Sequence, residues 1–479
     1  MLVALLVACC YAPVVTHTYA WADDYGRLAA PGSSFVEDAS GGRLVDAVVL
    51  YASFAWAGTI RGLSGMRAVG VLGVALLGAA VAAFLERHAV RRRDAVFAAT
   101  GAMLLPPFQS FVGWSVLWPL GWVCLFSVIG GLPWIHERPP GSRAAGFVLL
   151  VIANLMYQPA AFFVWALLGV RLFLSEDARR TGARTTVQLG IATLGAFAAS
   201  VGTAAVTNRV FEVAWKSRAG VVSSPAELIE KVTWTLTRPV VVAARFFTVS
   251  TPTWNEAALT AGPVLLVIGV EAWRRSSGSS LHRVRDMGLM AGAALLAIAP
   301  NLAVRENQLE VRVVPGLCAA VWLYFALALV WRIETVSQRL GVGGRQRIPG
   351  LVALAQVTVL VLGALSSRGN IQRIMIDPAE QKEHFVVAAL SSYQPDSGQT
   401  IAIVNDAEAW PRRRRVGMLS LDCDLGLDWV APSEVRVHAR EMRLGSLQVK
   451  QFRTRAEVSP DSFLLDLTPL VAAIAGPSR

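Results

Sequence analysis

From residue 1 to about residue 366 the chain alternates long apolar runs with short polar breaks that carry many of its arginines. About 20 apolar residues, rising ~1.5 Å each, cross the ~30 Å hydrocarbon core as a helix, so the pattern predicts a polytopic bundle. The opening MLVALLVACCYAPVVTHTYA is long enough to span and has no basic stretch before its apolar core. It reads as a retained first helix. A signal peptide cleaved after THTYA, and a lipoprotein box at Leu6-Val7-Ala8-Cys9 with a very short apolar lead, are the two alternatives. Residues 47 to 60, bounded by Asp46 and Arg61, would reach only about 21 Å as a helix and are expected to lie along the outer interface. Ala68 to Leu85 is expected to cross and to end in ERHAVRRRD.

No charged residue occurs between Ala95 and Ile135, where Pro106-Pro107 is expected to break the run into a helical hairpin with its tip outside. After HERPPGSR comes the uncharged run Ala144 to Val170, interrupted by NLMYQPA. Two full crossings need about forty residues, so it is either one long helix or two half-length helices meeting at Tyr157, Gln158 and Pro159. The positive-inside rule favours the pair, because a single crossing would export Arg179, Arg180, Arg184, Arg274, Arg275, Arg283 and Arg285. Further helices are expected near 186 to 206, 258 to 273, 287 to 304, 313 to 331 and 350 to 366. The fold class is then mainly α: a polytopic transmembrane helix bundle of about 11 nominal helices, one half-length pair among them. Its N-terminus is inside and its C-terminus outside. The unit 1-367 carries outer loops 20-65 and 207-257, and a short outer loop at 305 to 312.

Beyond residue 368 the pattern changes. PAEQKEHFVVAALSSY reads as an amphipathic helix, while TIAIVND, VGMLSL, EVRVHAR and SLQVKQF show β-like alternation or apolar cores between Pro, Gly and Asp turns. The expectation is a small extracytoplasmic α/β domain over 368-479.

Composition agrees with a bilayer rather than water. Hydrophobic residues make up 54% and charged residues 16%, against roughly a quarter charged in soluble domains. The mean hydropathy is +0.50. The net charge of +11, from bases that include only four lysines, points to loops held at the cytoplasmic face rather than to nucleic acid. Cys9, Cys10, Cys124 and Cys318 lie in apolar stretches and Cys423 stands alone, so no disulfide framework or thiolate zinc site is readable. The six histidines are scattered, and no metal or other cofactor is expected. A G-x-x-x-x-G-K-[ST] loop, a G-x-S-x-G elbow and an H-E-x-x-H pair are all absent, which removes an ATP-driven motor and the commonest hydrolase signatures.

Candidate chemistry gathers in the outward segments. WADDYGRL puts Asp23 and Asp24 just beyond the first helix, between two aromatics. A carboxylate in such a partly dry site can serve as a general base, or the acids can face water beneath an interfacial Trp21-Tyr25 belt. Arg27, Arg305 and Arg312 are cations on the outer side, suited to a departing phosphate or to lipid headgroups. Asn154, Tyr157 and Gln158 can hydrogen-bond a sugar or phosphate, or the backbone that Pro159 frees. Asp422-Cys423-Asp424 has metal-binding spacing without a partner motif, and Arg412 to Arg415 is a basic run next to Trp410.

An acidic pair just after the first helix, then Glu37-Asp38 flanked by YGRL and SGGRLVDAVV, and an Arg-rich inner loop together resemble the polytopic glycosyltransferases of the C superfamily. Tyr157-Gln158, ending a half-length helix after NLM, resembles the motif of bacterial membrane glucosyltransferases that decorate O-antigen. The resemblance covers residues 1 to about 366. It implies a sugar donor on polyprenyl phosphate and an envelope glycan or glycolipid acceptor. It also implies a first-loop Asp, Asp24 or Asp23, that takes the acceptor proton as attack inverts the anomeric carbon. The implied location is the bacterial cytoplasmic membrane, with chemistry at its outer face. The rival expectation is a lipid or sugar transporter whose broken helix forms a binding site. A non-catalytic assembly protein that binds envelope polymers is a third.

Overall fold

The computed structural model describes residues 1–214, 220–249, 254–307, 310–339, 347–394, 400–404, 430–445, 447–452 and 455–468. Among them the chain is mainly helical, with one three-stranded parallel sheet near its end. Among the described residues five helices are long and apolar enough to cross a membrane: Leu63–Arg87, Ser115–Ile135, Glu176–Val210, Pro315–Val336 and Gly350–Leu390. Arg92–Met103 and Pro106–Gly113 pass the same test only as a pair, bent by 60° at the break between them. The protein is an integral, multi-pass membrane protein. Large apolar residues spaced along Glu176–Val210 and Arg347–Ile371 stay exposed, among them Ile191, Leu194, Leu354 and Leu362, as a lipid-facing helix surface requires.

One expectation about this bundle changes. Pro106-Pro107 does not turn the chain around. It bends one span by 60°, because prolines in a helix's first turn lack N–H groups that would be orphaned there anyway, so a new helix restarts at once. Reversal comes further on, at Trp114 and the 3₁₀ turn Ser115–Leu117. The 47 to 60 stretch is the helix Leu44–Ala57. Gly42 before it touches Ser200 and Gly58 after it accepts from Arg440, which also reaches the Leu28 carbonyl. Both ends therefore sit at one end of the bundle, and the helix lies flat.

The half-length pair is longer than its apolar run. The helix Pro140–Met156 starts four residues before Ala144, with Pro140 in its first turn, and has 17 residues; the return leg is Gln158–Leu174. Each reaches about 26 Å, so the hairpin tip at Tyr157 comes close to the far surface. At the foot of the hairpin Arg171 donates to the Ile135 carbonyl, which sets both legs on one side. The outgoing leg packs closely on Ser115–Ile135 through Gly130 and Gly146, where a Cβ on Gly130 would stand 2.7 Å from the Gly146 oxygen. Small residues at such a crossing let two backbones approach in lipid.

The arginine-bearing turns gather at this same foot. Arg179 pairs with Asp286 at 3.1 Å, Arg275 and Arg332 share Glu271, and Arg91 meets Glu334. These pairs let Glu176–Val210 and Pro315–Arg339 continue as helices well past their apolar stretches.

At the opposite end the last long helix, Arg347–Ile371, runs through a π-helical turn, Gln372–Ile376, into Asp377–Leu390. The bundle core takes Ala379, and a second core begins at Val386. That second core holds strand β1 (Ile401–Val404) between β2 (Val449–Phe452) and β3 (Phe463–Asp466), both parallel to it. EVRVHAR, expected as strand, is part of the helix Val430–Glu441. It is covered on more than one face, by the helix at Asp23–Ala29 and by β2, so Glu434 and His438 are buried along with the valines and the apolar alternation no longer reports a sheet surface. VGMLSL lies outside the described residues.

Candidate functional site

The chain leaves the first helix, Leu2–Thr16, through an extended segment whose carbonyls are collected by one side chain. Arg67, fully buried in Leu63–Arg87, donates Nε to the Val14 carbonyl at 2.6 Å, Nη1 to the Tyr19 carbonyl at 2.8 Å and Nη2 to the His17 carbonyl at 3.0 Å. Nη1 also reaches the Ser115 hydroxyl at 3.2 Å, and the guanidinium lies 4.0 Å from the Tyr19 ring centroid. A buried guanidinium with this many acceptors locks the turn that delivers the short helix Asp23–Ala29.

The two aspartates opening that helix have different surroundings. Asp24 is completely buried. Its Oδ2 accepts from the Trp21 N–H at 3.0 Å and its Oδ1 from the Val116 N–H at 3.1 Å. Burial pushes its carboxyl up to about 7, against the Trp21 N–H, Arg67 and Ser115, which favour the charged form. Asp23 is partly exposed and lies within electrostatic reach of Arg312.

Arg312 stands on the 3₁₀ turn Val311–Val313. It is paired with Glu310 and lies 5.1 Å from the ring of Trp114. Tyr157, held in an extended conformation between the hairpin legs, and Asp23 both sit within range of its charge. Gln158 Nε2 donates to the Gly41 carbonyl at 3.2 Å, which joins the hairpin tip to the first outer loop. Gly42 there has φ +77°, and a Cβ would meet the Ser200 oxygen at 2.5 Å, so the loop is seated on Glu176–Val210 by a residue without a side chain.

Behind this front is an ion cluster that sequence reading left unresolved. Asp38, buried, accepts from Arg27 at 2.6 Å and from Arg43 at 2.8 Å. Asp46, also buried, has one carboxylate oxygen without a hydrogen-bond partner. Burial pushes it up to about 7, which Asp38 reinforces and Arg43 and Arg27 oppose. The sequence signal was present in Glu37-Asp38 and the GR of SGGRL, but not the pairing.

The structure therefore places Asp23 and Tyr157 within range of the Arg312 charge, ties Gln158 to the first outer loop, and holds the Arg27 guanidinium on Asp38. It leaves three expected residues elsewhere. Arg305 is exposed, pairs with Glu227 at 2.7 Å and donates its backbone N–H to the Gly220 carbonyl. Asn154 is buried and donates to the Leu150 carbonyl one helical turn back at 2.9 Å. Asp24 is sealed beneath Asp23. Asp422-Cys423-Asp424 and Arg412 to Arg415 lie outside the described residues, among which no group of three or more metal-ligating side chains occurs.

No family model matches this chain, and no curated protein does. Among solved structures it is similar to the oligosaccharyltransferase of Archaeoglobus fulgidus in the apo form, with a TM-score of 0.45 and 11% identity over 95% of this chain and 64% of that one. It is also similar to the archaeal oligosaccharyltransferase AglB from Archaeoglobus fulgidus in complex with an inhibitory peptide and a dolichol-phosphate, with a TM-score of 0.43 and 11% identity over 84% of this chain and 62% of that one. The chain thus spans less than two thirds of the length of either, and a likeness at this level says nothing of reaction or substrate.

Proposed function

We propose that this chain is an inverting membrane glycosyltransferase. It moves a sugar from a polyprenyl-phosphate carrier to a cell-envelope glycan or lipid acceptor on the outer face of a bacterial cytoplasmic membrane. The observation that supports the reading is that Arg312 lies 5.1 Å from the ring of Trp114, beside the turn whose Val116 N–H holds the Asp23-Asp24 helix, with Asp23 and Tyr157 within range of its charge, at the bundle end opposite the arginine turns. By the positive-inside rule that end is the outer one.

In this reading Asp23 takes the proton of the acceptor hydroxyl as its oxygen attacks the anomeric carbon. The bond from that carbon to the donor phosphate breaks, and polyprenyl phosphate leaves with the electron pair. Arg312 opposes the charge that develops on the departing phosphate, where a fixed cation acts most strongly. Tyr157 and Gln158 hold sugar or phosphate by hydrogen bonds. Arg27 and Arg43 act at one remove, tying the Asp23 helix and the first outer loop to Asp38. We take 1-367 as the catalytic unit and 368-479 as an extracytoplasmic domain covering it.

The transporter alternative asks for a broken helix at mid-membrane. The break at Tyr157 instead ends a 17-residue helix and bonds to the outer loop through Gln158 and Gly41, which favours a site at the surface. The deciding experiment supplies purified protein with a synthetic polyprenyl-phosphate sugar and an envelope glycan acceptor. Release of polyprenyl phosphate that Asp23→Asn abolishes supports the transferase. Movement of labelled lipid across liposomes with no sugar transferred rejects it.

A further inference from the structure

At the foot of the bundle, two adjacent spans end in the same way. Leu63–Arg87 closes with Val90 N–H bonded to the Leu85 carbonyl, and Ser115–Ile135 closes with Arg138 N–H bonded to the Pro133 carbonyl. In each, the residue after the last helical turn is a histidine, followed by a non-glycine residue in the left-handed region, Ala89 at φ 61° and Glu137 at φ 52°. This paired Schellman closure stacks the two rings, His88 on His136, with centroids 5.4 Å apart and planes 18° apart. Phe84 packs against both. A cavity of about 520 Å³ opens beside them, lined by Arg87, His88, His136, Glu137, Arg138 and Pro139.

We infer that this cavity binds a phosphate-bearing anion, either the headgroup of an anionic lipid or a soluble phosphate. The site is separate from the one around Asp23 and does not depend on the reading given to it. Nε2 of His88 and Nε2 of His136 are both shielded from solvent and lack hydrogen-bond partners, so the wall holds unmet polar capacity. The two rings form part of the cavity wall, and the guanidiniums beside them decide the sign of its occupant. Arg87 and Arg138 line the cavity, and Arg171 stands behind, bonded to the Ile135 carbonyl. Against these three positive charges stand Glu137 and two helix C-termini, each worth about half a negative charge. The Schellman bonds already occupy part of those carbonyls, so the balance stays positive. Burial first, then Arg171 and Arg87, hold both imidazoles below their ordinary range, and His136, which also feels His88 and Arg138, lies at about 4. Positive charge this crowded is what a bound anion relieves. The cavity also lies where two long apolar helices end, at the depth of lipid phosphates.

The test uses full-length protein in phosphatidylcholine nanodiscs. One arm titrates inorganic phosphate and follows it by calorimetry; the other introduces phosphatidylglycerol and counts retained lipid by native mass spectrometry. Saturable binding in either arm is expected, weakened about tenfold in the His88→Ala/His136→Ala variant and in Arg138→Gln, roughly the worth of one charge-assisted hydrogen bond. Glu137→Gln removes the one carboxylate among the lining residues and is expected to tighten binding about threefold, a gain that a damaged fold cannot mimic. Binding in the lipid arm alone assigns a headgroup, and binding in the phosphate arm alone assigns a soluble ligand. No saturable binding in either arm overturns the inference. Weakening in the first variants without any gain in Glu137→Gln is the signature of general damage and overturns it too.

Discussion

Asp24 accepts the backbone N–H of Val116 at 3.1 Å, a bond that spans ninety-two residues of sequence and pins the helix after the first span to the 3₁₀ turn Ser115–Leu117. Its neighbour Asp23 is partly exposed and lies within electrostatic reach of Arg312. Asp24 thus has a structural part here, and the proposed reaction assigns the base to Asp23. Asp23→Asn is expected to lower turnover by 10² to 10⁴, about what a positioned base contributes, with the melting temperature unchanged. Asp24→Ala leaves two buried N–H groups without acceptors and is expected to cost about 2–4 kcal/mol of stability. Turnover and thermal melts of the two variants in one detergent check this. Full activity in Asp23→Asn would remove it as the base.

Two buried carboxyls give the protein an unusual dependence on pH. Asp24 and Asp46 are both pushed up to about 7, chiefly by burial, from an unfolded value of about 4. A group whose folded pKa is raised binds more protons folded than unfolded. Its contribution is complete below about pH 4 and is lost as pH rises through about 7. Paired carboxylates elsewhere act in the opposite sense, so the comparison is between variants. Asp46→Asn, which removes one raised group, is expected to melt closer to the same temperature at pH 5 and pH 8 than the unaltered protein does. An unchanged difference between the two pH values would show that Asp46 is not held neutral.

The first outer loop depends on a missing side chain. A Cβ at Gly42 would both occupy the left-handed region and press to 2.5 Å from the Ser200 oxygen and 3.3 Å from Gln158 Nε2. Gly42→Ala is expected to destabilise the protein by about 1–3 kcal/mol, the usual cost of overpacking. It should also lower turnover, because the loop and the hairpin tip move apart. Ser200→Gly would not rescue it, since the clash is with backbone. Melting and turnover equal to the unaltered protein would show that the loop can shift without loss.

How much of this was legible in the sequence depends on the range of the interaction. The apolar runs marked the long helices, because lipid demands a continuous apolar surface wherever a helix is exposed to it. The break at Tyr157 was legible from Pro159 and from arginine parity. Helix ends were not, since Arg179 with Asp286 and Arg332 with Glu271 extend helices by pairing charges distant in sequence. Pro106-Pro107 was overread because proline forbids a hydrogen bond, not a direction. The site was half legible. Local spacing marked Asp23, Arg312, Tyr157 and Gln158, but only packing separates Asp23 from Asp24 or sends Arg305 to Glu227. Asp38 and Asp46 acquire a role only from the arginines that fold around them. In Val430–Glu441 the alternation misled because charged residues are buried there as well.

The last relationship tests how the C-terminal segment grips the outer loop. Lys382 and Glu434 are both buried, with Nζ 3.4 Å from Oε2; Nζ also lies 4.5 Å from the ring of Tyr25, two residues from Asp23. His438 Nε2 stands 3.8 Å from the other oxygen of Glu434. Taking two charges out of water costs about as much as their attraction returns, whereas removing only one leaves a buried charge unopposed. Lys382→Met alone is therefore expected to cost about 3–5 kcal/mol. Lys382→Met combined with Glu434→Leu should recover most of that loss or exceed the original stability. Because neither residue belongs to the group around Arg312, the paired variant should keep its turnover even while the single variant is too unstable to assay. Thermal melts of the single and paired variants, with turnover of the paired one, decide it. A paired variant as unstable as the single one would mean that the lysine and glutamate hold the segment through contacts other than each other.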